Sequence, residues 1–170
     1  MEDLNREFIA QSIGRLDENT SKIEKCLMDI KDGEIWERPN ESSNSFGNII
    51  LHLCGNITQY IISSLGNTED KRKRDEEFNV TGGYTKMELS EKLSNVVSQA
   101  KNIIRDLDID DLLRVRSVQG FKLTGMGIIL HVVEHYSYHT GQIAFWVKLL
   151  RNKDLGFYKD QDLNKKNKPD

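Results

Sequence analysis

Thr124 to Leu150 reads TGMGIILHVVEHYSYHTGQIAFWVKLL, and this stretch decides the fold. It contains no proline, and its apolar residues recur at threes and fours, which predicts one long helix. A helix turns about 100° per residue, so with His135 at zero His131 falls near −40° and His139 near +40°. Ile128 and Trp146 fall near +20°, and Gln142 near −20°. Three imidazoles therefore lie on one stripe with bulky apolar residues at both ends. Such a stripe points into a bundle rather than at water. Histidines at i and i+4 can chelate one metal ion, and the stripe offers two such pairs. Burying three imidazoles on an apolar stripe without a shared ligand is expensive.

The remaining pattern gives that helix its partners. Leu4, Phe8, Ile9, Ile13, Leu16, Ile23, Leu27 and Ile30 predict a first helix over residues 4–31, closed at Asp32-Gly33. A loop with Pro39 follows, and a second helix is expected from Ser43 or Asn44 to about Leu65. Thr85 and Glu88 have capping-box spacing and open a third helix running to about Leu107. Residues 108–123 read as irregular, with a short extended piece at Arg114 to Val118. Four amphipathic helices make an all-α four-helix bundle over residues 1–151, with a polar tail over 152–170. The connection from Asn67 to Tyr84 extends up to roughly 60 Å, twice the length of a 20-residue helix. It can run the length of the bundle and leave the second and third helices parallel.

Composition excludes several classes. The chain has 170 residues, 24 Lys+Arg, 27 Asp+Glu and a net charge of −3, which gives no reason to expect nucleic acid or an anionic membrane as partner. No run of 18 apolar residues suggests a membrane helix, and Met1 to Asn5 does not read as a secretory signal. Two cysteines, Cys26 and Cys54, make no disulfide framework, so a cytoplasmic location is the expectation. The Lys71-Arg72-Lys73-Arg74 run is cancelled by Asp70, Asp75, Glu76 and Glu77 and reads as a solvated loop.

His52 is the fourth histidine. Asn48 and Asn56 lie one turn either side of it, with Ser45, Gln59 and Ser63 on the same stripe. This stripe is either a solvent face or the polar wall of a cleft that meets the histidines of the last helix. Cys54 lies about 200° around the helix from His52 and reads as a core residue. His131-Val-Val-Glu134-His135 also matches the H-x-x-E-H pattern of inverted zinc proteases. Those enzymes need a further acidic ligand downstream, usually Glu, and no Glu follows Glu134 here.

The segments Asn48-Ile-Ile-Leu51-His52-Leu53-Cys54-Gly55-Asn56 and His131-Val-Val-Glu134-His135-Tyr-Ser-Tyr138-His139-Thr140-Gly141-Gln142-Ile143 resemble the DinB/YfiT-like superfamily, as do Trp36-Glu-Arg38-Pro39 and Asn44 to Asn48. The resemblance runs from the first helix to about Leu150. It implies a bundle with an up-down-down-up path and a divalent metal held by His52, His135 and His139, with His131 as a neighbour outside that triad. It also implies a homodimer. In a few relatives it implies thiol-dependent transferases or isomerases that use low-molecular-weight thiols.

Three nitrogen ligands leave open positions on zinc or nickel, as in catalytic sites. Asn48, Asn56, Tyr138 and Gln142 are then candidates to orient ligand or substrate, and His131 a further neighbour. The sequence supports two functions: a metal-dependent hydrolase or thiol-dependent transferase, or a non-catalytic metal-binding or structural bundle protein. It also predicts a second copy of the chain on the face of the last helix that carries Ile129, Val133, Ala144 and Val147. The competing cover for that face is the tail around Phe157 and Tyr158.

Overall fold

Helix ends in this chain are set by side chains that satisfy the exposed backbone. In the computed structural model, which describes residues 2–168, α1 spans Glu2–Asp29 and α2 spans Phe46–Ile57. Met1 and the last two residues of the tail, Pro169 and Asp170, lie outside the described residues. Ser45 caps α2: its Oγ accepts from the Asn48 N–H at 3.1 Å, while Asn48 Oδ1 accepts from the Ser45 N–H at 3.3 Å. The cap is therefore Ser45 rather than Ser43 or Asn44. From Thr58 to Leu65 the helix continues in wider π turns, closed where the Gly66 N–H donates to the Ile61 carbonyl. α3 is a short helix, Arg74–Asn79. α4 is Lys86–Arg105, opened by the Thr85/Glu88 capping box. α5, Ile109–Leu113, and the hairpin of β1 (Val115–Val118) and β2 (Phe121–Thr124) lead into α6, Gly125–Arg151.

The long elements α1, α2 with its π continuation, α4 and α6 form the four-helix bundle, on the up-down-down-up path. α1 lies along α6 and α4, and α2 lies against α4 and α6. Leu16, Ile23, Ile50, Leu53, Ile61, Leu89, Ile104, Ile128 and Ile143 meet in the middle and are shielded from solvent. Each such side chain contributes roughly 1.5–3 kcal/mol on burial, before the entropy of ordering the chain.

Two segments differ from the sequence expectation. The connection 67–84 contains α3, and 108–123 contains a helix and two paired strands rather than one extended piece. The hairpin turns at Gln119 (φ 49°) and Gly120 (φ 83°), two successive residues in the left-handed region. Such turns favour Asn-Gly or Asp-Gly, and Gln-Gly is a weaker signal.

The α6 face that was expected to need a second copy is covered within the chain. Ile129 and Val147 have no exposed surface, and α1 is their cover. Thr20 Oγ1 and Tyr136 Oη meet at 2.8 Å across the same seam. The tail does not take that place. Leu155 is buried, Lys25 Nζ donates to the Gly156 carbonyl, and Lys22 Nζ donates to Tyr158 Oη at 2.8 Å, so the tail lies on α1. Among the described residues, no helix is long and apolar enough to cross a membrane.

Candidate metal centre

His135 and His139 are one turn apart on α6, half-buried, with ring centroids 4.5 Å apart. His52, buried on α2, faces them across the bundle. Its Nε2 lies 3.0 Å from His135 Nε2, and its ring centre lies 5.0 Å from that of His139. One ring nitrogen from each of the three lies within 4.8 Å of the others. Of the two readings of the His52 stripe, the cleft wall is the one the fold adopts.

Behind His52 stands a charged pair that sequence reasoning assigned to a solvated loop. The His52 Nδ1–H donates to Glu77 Oε2 at 2.9 Å. Arg72 donates from Nε to Glu77 Oε1 at 2.7 Å, from Nη2 to Oε2 at 2.8 Å, and from Nη1 to Gln59 Oε1 at 2.9 Å. The side chains of Arg72 and Glu77 are only 3% and 10% exposed, whereas Lys71 and Lys73 stay in solvent. Charge cancellation along the sequence was read as solvation. In space the same cancellation permits burial. The available signal was Gly55, near the end of α2 where the helix runs on into the π turns. A Cβ there would overlap Glu77 Oε1 and come within 2.9 Å of Arg72 Nε. Asn48 fastens the same segment, because its Nδ2 donates to the Glu77 and Val80 carbonyls at 3.0 and 2.7 Å.

Burial pushes the Glu77 carboxyl up, but hydrogen bonds and charge from Arg72 and His52 outweigh it and leave it below the usual carboxylate range. An ionised Glu77 has only acceptors, so His52 carries its proton on Nδ1 and turns the Nε2 lone pair to the cluster. His139 is fixed in the same sense: its Nδ1–H donates to Gln142 Oε1 at 2.7 Å. Burial, reinforced by the neighbouring imidazoles, pushes His135 down to about 3. Burial also pushes His139 down to about 4. Both are neutral at pH 7.

The other predicted residues take different positions. Tyr138 is largely exposed, with its ring edge-on to His139 at 5.0 Å. Asn48 is fully buried and committed to backbone, so it supports Glu77 rather than lining the cleft. His131 lies next to the cluster, its ring centre 5.6 Å from that of His135. Tyr60 stacks on His131 at 4.3 Å and donates to Gln119 Oε1 at 2.8 Å. Tyr60 belongs to the π turns, whose smaller rotation per residue swings it toward the histidine side. Such turns are frequent at functional sites. A cavity of about 430 Å³ opens beside the cluster, lined by His52, His135, His131, Asn56, Arg72, Arg74, Gln119 and Phe121.

These residues fit a divalent cation. Zinc–nitrogen bonds of about 2.0–2.1 Å at tetrahedral angles separate ligand nitrogens by about 3.3 Å. The His52–His135 pair is already at 3.0 Å, and small ring rotations bring in His139. His52 Nε2 and His139 Nε2 are both left as lone pairs by their outer partners, which is the state a metal requires. An all-imidazole set suits zinc or nickel.

The family model described as "Protein of unknown function (DUF1572)" matches residues 3–158. The chain belongs to this family. Its fold is shared with solved structures of DinB-like proteins. A conserved protein from Enterococcus faecalis superposes with TM-score 0.72 at 18% identity, covering 85% of this chain and 97% of that one. The DinB-like YjoA of Bacillus subtilis gives 0.66 at 16%, covering 85% and 94%. A mutant of a mycothiol-dependent maleylpyruvate isomerase gives 0.60 at 12%, covering 79% of this chain and 60% of that one. At these identities the likeness is one of fold. No curated protein matches the chain by sequence.

Proposed function

We propose that this DUF1572 protein is a divalent-metal-dependent enzyme with an open three-histidine site, acting in thiol-dependent group transfer or hydrolysis. The supporting observation is the incomplete ligand set beside a cavity: three imidazoles converge, and no fourth ligand joins them among the described residues. Structural zinc sites are normally closed by four protein ligands, so this donor set favours the catalytic reading over a structural one. When bound, the ion supplies Lewis acidity that ionises a water or thiol near neutral pH.

The chain's own residues prepare the rest. Glu77 and Gln142 hold His52 and His139 in one tautomer each. His131 lines the cavity, its Nε2 3.5 Å from Asn56 Nδ2, and burial pushes its pKa below the usual value. It is neutral at pH 7 and is the cavity-wall group placed to take a proton from an incoming thiol or water. Neither cysteine competes as nucleophile. Burial pushes both the Cys26 and the Cys54 thiol up to about 12, and neither lines the cavity. The attacking group therefore comes from outside the chain. A mycothiol-dependent fold neighbour makes a thiol cosubstrate the first candidate.

The test loads untagged protein with metal and incubates it with low-molecular-weight thiols and an electrophile panel, following thiol consumption. Consumption that disappears in His135→Ala is expected. A cobalt-substituted form whose spectrum responds to neither thiol nor exchangeable water refutes the reading.

A further inference from the structure

The cavity beside the three histidines has an unbalanced positive charge. Two arginines line it. Arg72 is neutralised by Glu77 behind His52. Arg74 is not: among the described residues it pairs with no carboxylate, and its guanidinium lies over the Phe78 ring, 4.9 Å from the centroid. Phe78 in turn packs on the His52 ring at 4.8 Å. The stack Arg74–Phe78–His52 sets a cation at the mouth of the metal cavity. The neighbouring acids leave it there, since Glu76 pairs with Lys73 at 3.1 Å and Glu77 with Arg72. No carboxylate lines the cavity.

The remaining wall is suited to a small polar molecule. Asn56 is buried, and its Oδ1 has no hydrogen-bond partner. Gln119, at the hairpin corner, spends its Oε1 on Tyr60 and keeps its amide N–H groups for the cavity. Phe121, exposed on β2, supplies an apolar side. About 430 Å³ is within the range of small-ligand sites.

We infer that the cavity takes a small carboxylate-bearing ligand, with its carboxylate on Arg74 and its reacting end, the thiol of the proposed cosubstrate, at the three histidines. The inference rests on the thiol reading above and narrows it to acidic thiols. Guanidinium and carboxylate form charge-assisted hydrogen bonds, and a neutral ligand of the same size forgoes them.

The test compares 3-mercaptopropionate with 3-mercapto-1-propanol, which differ only at the end remote from sulfur. Binding to the cobalt-substituted protein is read from the thiolate charge-transfer band. The acid is expected to bind about tenfold tighter than the alcohol, the order of one partly exposed charge-assisted contact. In Arg74→Gln the two thiols should bind alike, with the alcohol unchanged. Arg74→Lys should restore part of the preference. Equal binding of acid and alcohol by the wild type, or a preference that survives in Arg74→Gln, overturns the anion site while leaving the thiol reading intact. If neither thiol produces the band, the thiol reading falls, and calorimetry with propionate decides the anion contact. Propionate binding that weakens in Arg74→Gln supports it. Binding that is equal in both proteins, or absent from both, overturns it.

Discussion

Replacing Glu77 with alanine removes the acceptor for three hydrogen bonds, two from Arg72 and one from His52. Arg72 is left as a nearly enclosed cation, 3% exposed, with no carboxylate partner and only Gln59 Oε1 at 2.9 Å and His52 Nδ1 at 3.2 Å beside its guanidinium. Three charge-assisted bonds at about 1.5–3 kcal/mol each set an upper bound, because water follows the charge from the adjacent cavity. Breaking a buried pair from one side typically destabilises by about 3–5 kcal/mol. We expect the low end, about 3 kcal/mol, or a fall in Tm of roughly 6–12 °C for a chain of this size. The assay is urea unfolding with chelator present, followed by far-ultraviolet circular dichroism, so that metal binding does not enter. The control is the double variant Arg72→Met with Glu77→Leu. It removes both charges and should recover most of the loss, since apolar replacements of buried pairs are often neutral. Metal affinity separates stability from orientation. Both variants should bind metal about 10–100-fold more weakly, because His52 has lost the partner that fixes its tautomer. A single variant losing under about 1 kcal/mol, or a double variant no more stable than the single one, refutes the buried charge pair.

Four further outcomes follow from the same geometry. His135 and His139 are held at about 3 and about 4, below the ordinary 6.5, so the unfolded chain takes up protons first as pH falls. Metal-free stability should therefore be fully present above about pH 6.5 and decline from there toward pH 4, and a urea midpoint that stays flat over that range contradicts it. Gly55→Ala should weaken metal binding about tenfold by displacing Glu77, although alanine favours a helix by about 1 kcal/mol; unchanged affinity with a raised Tm contradicts it. In chelator competition, His131→Ala should hold metal within a few-fold of wild type, while His135→Ala, reduced to two imidazoles, should lose most of it; equal losses make His131 a ligand. With the α6 face covered by α1, a second copy rests on the family resemblance alone; light scattering at micromolar concentration giving a dimer mass supports it, and a monomer mass ends it.

The sequence by itself determined the helices that carry the site. The histidine spacing in α6 and the cap signals at Thr85 and Thr124 are local, because a helix fixes the angle between residues a few positions apart. The long 67–84 connection likewise left room for the crossover. Four apolar stripes then needed one another, and that gave the bundle.

The tertiary structure decided what lies across space from each stripe. Periodicity left His52 on either a solvent face or a cleft wall, because it gives direction around an axis and not the identity of the facing element. The π turns after Ile57 shift that direction partway along the helix, with no distinct residue type to announce them. Arg72 and Glu77 are five residues apart in a charged connection, and only the approach of α3 to Gly55 buries them behind His52. The cover of Ile129 and Val147 was settled in the same way. A hydrophobic face must be buried, but only the packing of α1 along α6 says that the burial is within the chain.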